Sequence, residues 1–239
     1  MPATYRLIYW PGLPGRGELV RLVLEEAGAP YEDTALGERP AAFQAVKAAL
    51  ADSSGVPVLA PPILQHGALS IAQSGNICEY IAARHGLVPL EEAPRAIARQ
   101  LQATVVDLVA EAHDTHHPVA TGKYYEDQKA EALEAAAHFR EVRIPKFLGY
   151  FERVLTLAGG DWLLGDTFSY PDLALFQAID GLSYAFPRAM TRVLSGLPLV
   201  SAHRDRVADR PRIAAYLASE RRQAFNEHGI FRRYPELDG

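Results

Sequence analysis

Residues Tyr5-Arg6-Leu7-Ile8-Tyr9 alternate in character and are rich in strand formers, which predicts a β-strand. The turn-rich stretch Pro11-Gly12-Leu13-Pro14-Gly15 follows it. Leu19, Val20, Val23, Leu24 and Ala27 then recur at helical spacing, and Gly28 supplies a stop. Tyr31-Glu32-Asp33-Thr34 reads as a second short strand. Residues 36–60 are rich in Ala, Gly and Pro and carry only a weak helical pattern around Ala41–Leu50. Ile63-Leu64-Gln65, a turn at His66-Gly67 and Ala68-Leu69-Ser70-Ile71 make the pattern of a β-hairpin. A helix is predicted from about Ser74, with Ile77, Tyr80 and Ile81 on one face. The order strand, helix, strand, helix, hairpin, helix predicts a small α/β domain over residues 1–86.

Leu87–Pro94 reads as a linker, interrupted by Pro89 and Pro94. Beyond it nothing strand-like remains. Residues 95–117 and about 128–157 predict two long amphipathic helices, the second kinked at Pro145. Shorter helices are predicted at about 170–185, 201–209 and 211–222, and Phe225–Gly239 reads as an extended tail. Residues 95–239 are therefore expected to form an all-α helical bundle domain that ends in this tail.

Composition narrows the function. The chain has 239 residues, 49% hydrophobic and 22% charged, an ordinary globular balance. A net charge of -5 gives no general attraction to nucleic acid or to an anionic membrane, and no apolar run is long enough to span a bilayer. The single cysteine, Cys78, excludes an intrachain disulfide and argues for a reducing compartment. The first residues, MPATYRLIYW, lack the features of a secretory signal, so the expected location is the cytoplasm.

Several positions carry candidate chemistry. Pro61-Pro62 directly precedes the hairpin, a suitable place for a cis peptide bond. Such a bond would turn the preceding backbone edge outward, where an extended peptide ligand could pair with it. Gln73-Ser74 stands where the hairpin ends and a helix begins. Ser74 reads as the N-cap, and free N–H groups there suit a carboxylate. Tyr9 ends the first strand, and strand ends in open α/β sheets are where ligands collect. Its hydroxyl could donate to a bound anion. Ser169-Tyr170-Pro171-Asp172 has the form of a capping box, flanked by Phe168 and Leu173 as a hydrophobic staple, and reads as structural. His113, His116 and His117 share a helix face by spacing. They lack cysteine partners and the His-Glu-x-x-His pattern, so no metal site is assigned. Cys78 falls inside a predicted helix and reads as a packed small residue.

Three stretches together resemble the cytosolic glutathione transferase family, and the resemblance covers nearly the whole chain. Leu7-Ile8-Tyr9-Trp10-Pro11…Gly15-Arg16-Gly17 is similar to the start of the tyrosine-type classes alpha, mu, pi and sigma. Pro62-Ile63-Leu64…Gly67…Leu69…Ile71-Ala72-Gln73-Ser74 resembles the family's cis-proline hairpin and Gln-Ser pair. Gly165-Asp166-Thr167-Phe168-Ser169-Tyr170-Pro171-Asp172 is similar to its helical-domain capping signature. The resemblance implies a thioredoxin-like N-terminal domain, an all-helical C-terminal domain, glutathione as co-substrate, a small hydrophobic electrophile as second substrate, a homodimer and a role in detoxification. It implies that Tyr9 donates its hydroxyl proton to the glutathione sulfur and that Gln73 and Ser74 hold the γ-glutamyl end. Pro62 would be the cis-proline, with the backbone of Pro61 pairing with the cysteinyl unit. Arg16 would support the thiolate, Lys47 would meet the glycine carboxylate, and Asp107 or Asp114 would reach the partner subunit's glutathione.

The chain departs from that pattern in three places. Leu13-Pro14 lengthens the turn after Tyr9. Pro61 has no N–H, so one of two expected backbone bonds to the ligand is missing. Residues 36–60 show no clear counterpart of the family's glycine-end contacts. Two other functions fit the same fold: a non-catalytic ligand-binding or partner-docking protein, and a glutathione-dependent peroxidase or isomerase. A disulfide reductase would need a cysteine near Tyr9 or a Cys-x-x-Cys pair, and the sequence has neither.

Overall fold

The computed structural model describes residues 4–239. In chain order its regular elements begin with β1 (Tyr5–Ile8), α1 (Gly17–Ala27), β2 (Tyr31–Asp33), α2 (Arg39–Ala51), β3 (Ile63–His66), β4 (Leu69–Ala72) and α3 (Ser74–His85). The sheet order is β2-β1-β3-β4. β1 pairs parallel with β2 and antiparallel with β3, with Ile8 opposite Ile63, and β3 pairs antiparallel with β4. Both faces of β1 are covered, which explains why it is apolar at successive positions. Leu7 joins Leu19, Val23, Ile77 and Ile81 in the main core. Ile8 and Ile63 pack on the other side with Val46 of α2, and with Trp10, Ala49, Leu50 and Val58 around them. This is a thioredoxin-like α/β domain.

The rest of the chain is helical: α4 (Glu92–Asp114), α5 (Lys129–His138), α6 (Ile144–Ala158), α7 (Tyr170–Ala185), α8 (Pro187–Leu194), α9 (Pro198–Ala208), α10 (Pro211–Leu217) and the short α11 (Pro235–Asp238). α7 is the centre of this domain, with Leu173, Leu175, Phe176 and Ile179 all buried. Its start is the capping box read from the sequence. Ser169 donates its backbone N–H to the Asp172 carboxylate at 2.8 Å and its hydroxyl at 3.0 Å.

The long helix expected over about 128–157 is one unbroken helical run, and it is irregular just ahead of Pro145: a π-helical turn over Phe139–Arg143 joins α5 to α6 where the proline lacks its N–H. Three sequence expectations need correction. α8 was not anticipated; Pro187 is its first helical residue. The tail is not wholly extended, since Pro235 opens α11. His116 and His117 do not share a helix face with His113, because α4 ends at Asp114.

The two domains meet through buried charges. Glu18 of α1 accepts from the Tyr216 hydroxyl at 2.7 Å and from Arg222, and it also pairs with Arg21 at 3.2 Å. Arg21 pairs with Asp33 at 2.5 Å. Glu26 accepts from Arg210 Nε at 2.9 Å. No described helix is long and apolar enough to cross a membrane.

Candidate active site

Tyr9 follows β1 directly, and its side chain turns inward, 7% exposed. The turn after it wraps round the ring. A Cβ at Gly15 would come within 2.2 Å of the Tyr9 hydroxyl, and one at Gly17 within 2.8 Å of Tyr9 Cγ. Two glycines therefore let the turn close on the aromatic ring. The Arg16 backbone N–H donates to the Tyr9 hydroxyl at 2.9 Å. That bond uses the oxygen as acceptor and leaves the phenolic proton to be given elsewhere; no acceptor among the described residues takes it. Burial pushes the Tyr9 pKa above its ordinary value, against the opposing pull of the Arg16 amide and the Arg21 charge. The hydroxyl thus stays protonated and keeps its donor.

The longer turn is held in place by Arg21. Its Nη1 donates to the Pro14 carbonyl at 3.1 Å, and its guanidinium lies 5.7 Å from the Tyr9 ring centroid. Arg16 reaches Tyr9 through its backbone. Its half-buried side chain makes no hydrogen bond or ion pair among the described residues. Gly15→Ala tests the clasp. Gly15 has φ +46°, where an L side chain costs about 1–2 kcal/mol, and the new methyl would evict the Tyr9 hydroxyl. The expected result is a stability loss of that size by chemical denaturation. The Tyr9 pKa should also fall back toward its ordinary value in an ultraviolet titration.

The peptide bond between Pro61 and Pro62 is cis. Pro62 is buried, Pro61 is half-buried, and they lead into β3 beside β1. At the far end of the hairpin the chain enters α3. Here the N-cap differs from expectation: Gln73 occupies the cap position and Ser74 is the first helical residue, buried. Gln73 holds φ 69°, the one described non-glycine residue with positive φ. Such backbone is disfavoured and clusters at functional sites. A cavity of about 310 Å³ opens at this helix start, lined by Gln73, Ser74, Glu79, Arg99, Gln102 and Tyr170 among others.

The remaining candidates are more scattered. Lys47 lies on the exposed face of α2, with no bond to the others. Asp107 is exposed on α4, one residue past Val106, which lines the cavity at α3. Asp114 lies two turns further on, 3.5 Å from His113 Nδ1. Cys78 is buried, its thiol held protonated by desolvation, and donates to the Leu19 carbonyl at 3.4 Å.

A second cavity, about 560 Å³, lies at the end of α4 under the tail. His113, His117, Lys123, Tyr124, Tyr125, Glu227, His228, Arg232 and Tyr234 are in its wall, so its lining is more polar than an apolar second site. His116 is not a ligand group but an anchor. It is buried and bonds the Ile230 carbonyl at 2.8 Å, and desolvation pushes its pKa down to about 3. Asn226 donates to the Gly12 carbonyl at 2.8 Å, fastening the tail to the turn that carries Tyr9. Sequence reasoning missed the Gly15–Gly17 clasp. The glycines were visible, but their nearness to the ring was not.

Comparison with known proteins gives a consistent set of relatives. A family model described as "Glutathione S-transferase, C-terminal domain" matches residues 113–220. The chain is 32% identical over 237 residues to glutathione S-transferase P 2 of Bufo bufo, covering 94% of this chain and 98% of that one. It is 25% identical over 211 residues to a glutathione S-transferase of Plasmodium yoelii yoelii, covering 88% and 92%. The solved structure of the Onchocerca volvulus pi-class glutathione S-transferase has the same fold. The TM-score is 0.70 at 24% identity, over 90% of this chain and 92% of that one.

Proposed function

Because this chain belongs to the glutathione S-transferase family, we propose that it binds glutathione and activates its thiol for attack on small electrophiles. The observation that carries the reading is the Tyr9 hydroxyl, which accepts from Arg16 N–H and keeps its own proton free to donate. A thiol with a pKa of about 8.5 is only a few per cent ionised at neutral pH. A hydrogen bond to sulfur from a protonated Tyr9 favours the thiolate, and a lowering by about two pH units is worth about 2.7 kcal/mol. The thiolate then attacks an electrophilic carbon that the cleft holds beside it.

In this reading Gln73, Ser74 and the start of α3 hold the γ-glutamyl end, where a carboxylate meets the helix N-terminus. The carbonyl of Pro61, ahead of cis-Pro62, accepts from the cysteinyl N–H. Arg16 lends positive charge near the sulfur, and Lys47, exposed on α2, serves the glycine carboxylate. The electrophile occupies the cavity under the tail, against the tyrosine faces of Tyr124, Tyr125 and Tyr234. We place the enzyme in the cytoplasm as a homodimer, with residues 1–86 as the glutathione-binding domain and residues 95–239 as the helical domain. Asp107 or Asp114, both on α4, reaches the partner's glutathione.

The test is direct. The wild-type protein should be retained on immobilised glutathione and should conjugate glutathione to a generic aryl halide faster than the uncatalysed reaction. No retention and no binding by calorimetry would remove the central claim. Binding without turnover across a broad electrophile panel would favour the non-catalytic alternative.

A further inference from the structure

The cavity at the start of α3 contains a side chain that this mechanism does not use. Gln102 of α4 is 2% exposed, and neither its amide nitrogen nor its amide oxygen has a hydrogen-bond partner. Among the described residues it is the one side chain so deeply buried with both ends of an amide unpaired. Buried amides are nearly always bonded, because a dry one forfeits the bonds that water would give it. An amide kept in that state points to a partner that arrives with a ligand. Its position says which part of the ligand. A Cβ at Gly75 would lie 3.4 Å from Gln102 Cγ, so this side chain lies across the first turn of α3, beside Gln73 and Ser74. The charges at this wall are balanced two against two. Glu79 is held by Arg95 at 2.7 Å and by Arg99 at 2.9 Å, and Arg99 also pairs with Glu92 at 3.0 Å. A wall of balanced charge suits a group with no net charge.

We propose that Gln102 is a specificity-determining residue for the amino-acid head of the γ-glutamyl unit. Its Nε2 donates to the α-carboxylate held at the α3 N-terminus, and its Oε1 accepts from the α-ammonium. A carboxamide carries donor and acceptor together, so one side chain serves both ends of a zwitterion; a carboxylate or an ammonium side chain serves only one. The assignment rests on the glutathione-binding reading above and adds to it the residue that recognises a free amino-acid head.

The experiment uses S-methylglutathione, which cannot react, and its desamino analogue, in which a glutaryl group replaces the γ-glutamyl group. Affinities are measured by calorimetry for the full-length wild type, Gln102→Met and Gln102→Glu. Hydrogen bonds to charged groups predict that the wild type prefers the ammonium-bearing ligand by about 30-fold or more. Gln102→Met should cut that preference to within about threefold, with an unchanged or raised Tm, because methionine strands no polar atoms. Gln102→Glu keeps the shape, but its charge opposes the ligand carboxylate, so both ligands should weaken about tenfold or more. An unchanged preference in Gln102→Met overturns the proposal. So does an equal loss of both ligands in that variant together with a lowered Tm, which would mark a packing role. If the wild type binds neither ligand, the glutathione reading itself has failed. If the wild type binds both and the variants match it, only Gln102 has been misassigned.

Discussion

Tyr9→Phe is expected to lower kcat/KM for the electrophile, measured at saturating glutathione, by about 50-fold near pH 6.5 and by less than about twofold near pH 9.5. The dependence on pH follows from where the proton sits. If the Tyr9 hydroxyl holds the bound thiol about two pH units below its free value of about 8.5, half of it is ionised near pH 6.5 in the wild type. In the variant only about one per cent would be ionised there, whereas near pH 9.5 both enzymes would hold mostly thiolate. The sign for Tyr9 itself is the opposite. Burial raises its pKa above the ordinary 10.0, so it remains a donor throughout this range and adds no falling limb to the wild-type profile. A thiolate of higher pKa is also the stronger nucleophile at every pH, so about 50-fold is the upper end of the loss. The ring keeps its place between Gly15 and Gly17 in the variant, so packing is preserved while the hydroxyl is lost. The measurement is a pH–rate profile with an aryl halide, corrected for the uncatalysed reaction, beside an ultraviolet difference titration of the bound thiol. Equal rates for the two enzymes at every pH would show that the thiolate is made by something other than Tyr9.

The fold was legible wherever short-range pattern and tertiary need agree. β3 and β4 alternate about a Gly67 turn, and α1 has an apolar stripe closed by Gly28, so both were readable within a residue or two. Several helices open on a proline. Pro187 opens a helix that was not anticipated and Pro235 one inside the expected tail, and Pro171, Pro198 and Pro211 likewise stand in first turns. A missing N–H is tolerated there because helix starts leave theirs unpaired. Pro94 likewise falls in the first turn of α4, which begins at Glu92 rather than after the proposed linker. At Ser74 the local preference for a serine cap lost to the sharp exit from β4, which puts Gln73 at the cap with positive φ. Tyr9, Gln73 and Ser74 could be named from motif order. The geometry that makes Tyr9 a donor depends on Gly15, Arg16 N–H and Arg21, and the unpaired amide of Gln102 depends on the approach of α4 to α3. Sequence spacing carries no information about either approach.

The largest expected loss of stability comes from Asp172→Ala, about 4 kcal/mol. The carboxylate is completely buried and accepts four bonds, two from Ser169, one from Leu163 N–H at 2.9 Å and one from His203 Nε2 at 2.9 Å. Truncation removes the cap of α7, worth about 1 kcal/mol, and strands buried donors at about 1–3 kcal/mol each, with partial relief as the site collapses. Against a total stability of about 5–15 kcal/mol, a loss of this size brings the chain close to unfolding. Asp172→Asn keeps an acceptor for part of the set and should cost about half as much. The two tryptophans allow the loss to be followed by domain. Trp162 stands 6.1 Å from the His203 ring, beside the damaged cap, while Trp10 packs with Val46 and Ile63 against the sheet. In urea, a Trp10→Phe background reports the helical domain and a Trp162→Phe background reports the sheet. Both midpoints should fall together. α7 shares the core with Leu19 and Val23 of α1, and Arg222 bridges Gln177 of α7 to Glu18 of α1. A change within about 1 kcal/mol would mean that the network is not coupled to folding. The surviving folded fraction should keep the pH dependence of the wild-type profile, because Asp172 does not touch Tyr9; binding at the α3 cavity can weaken, since Tyr170 inside the box lines it. That separates a residue that holds the site's platform from one that acts in the site.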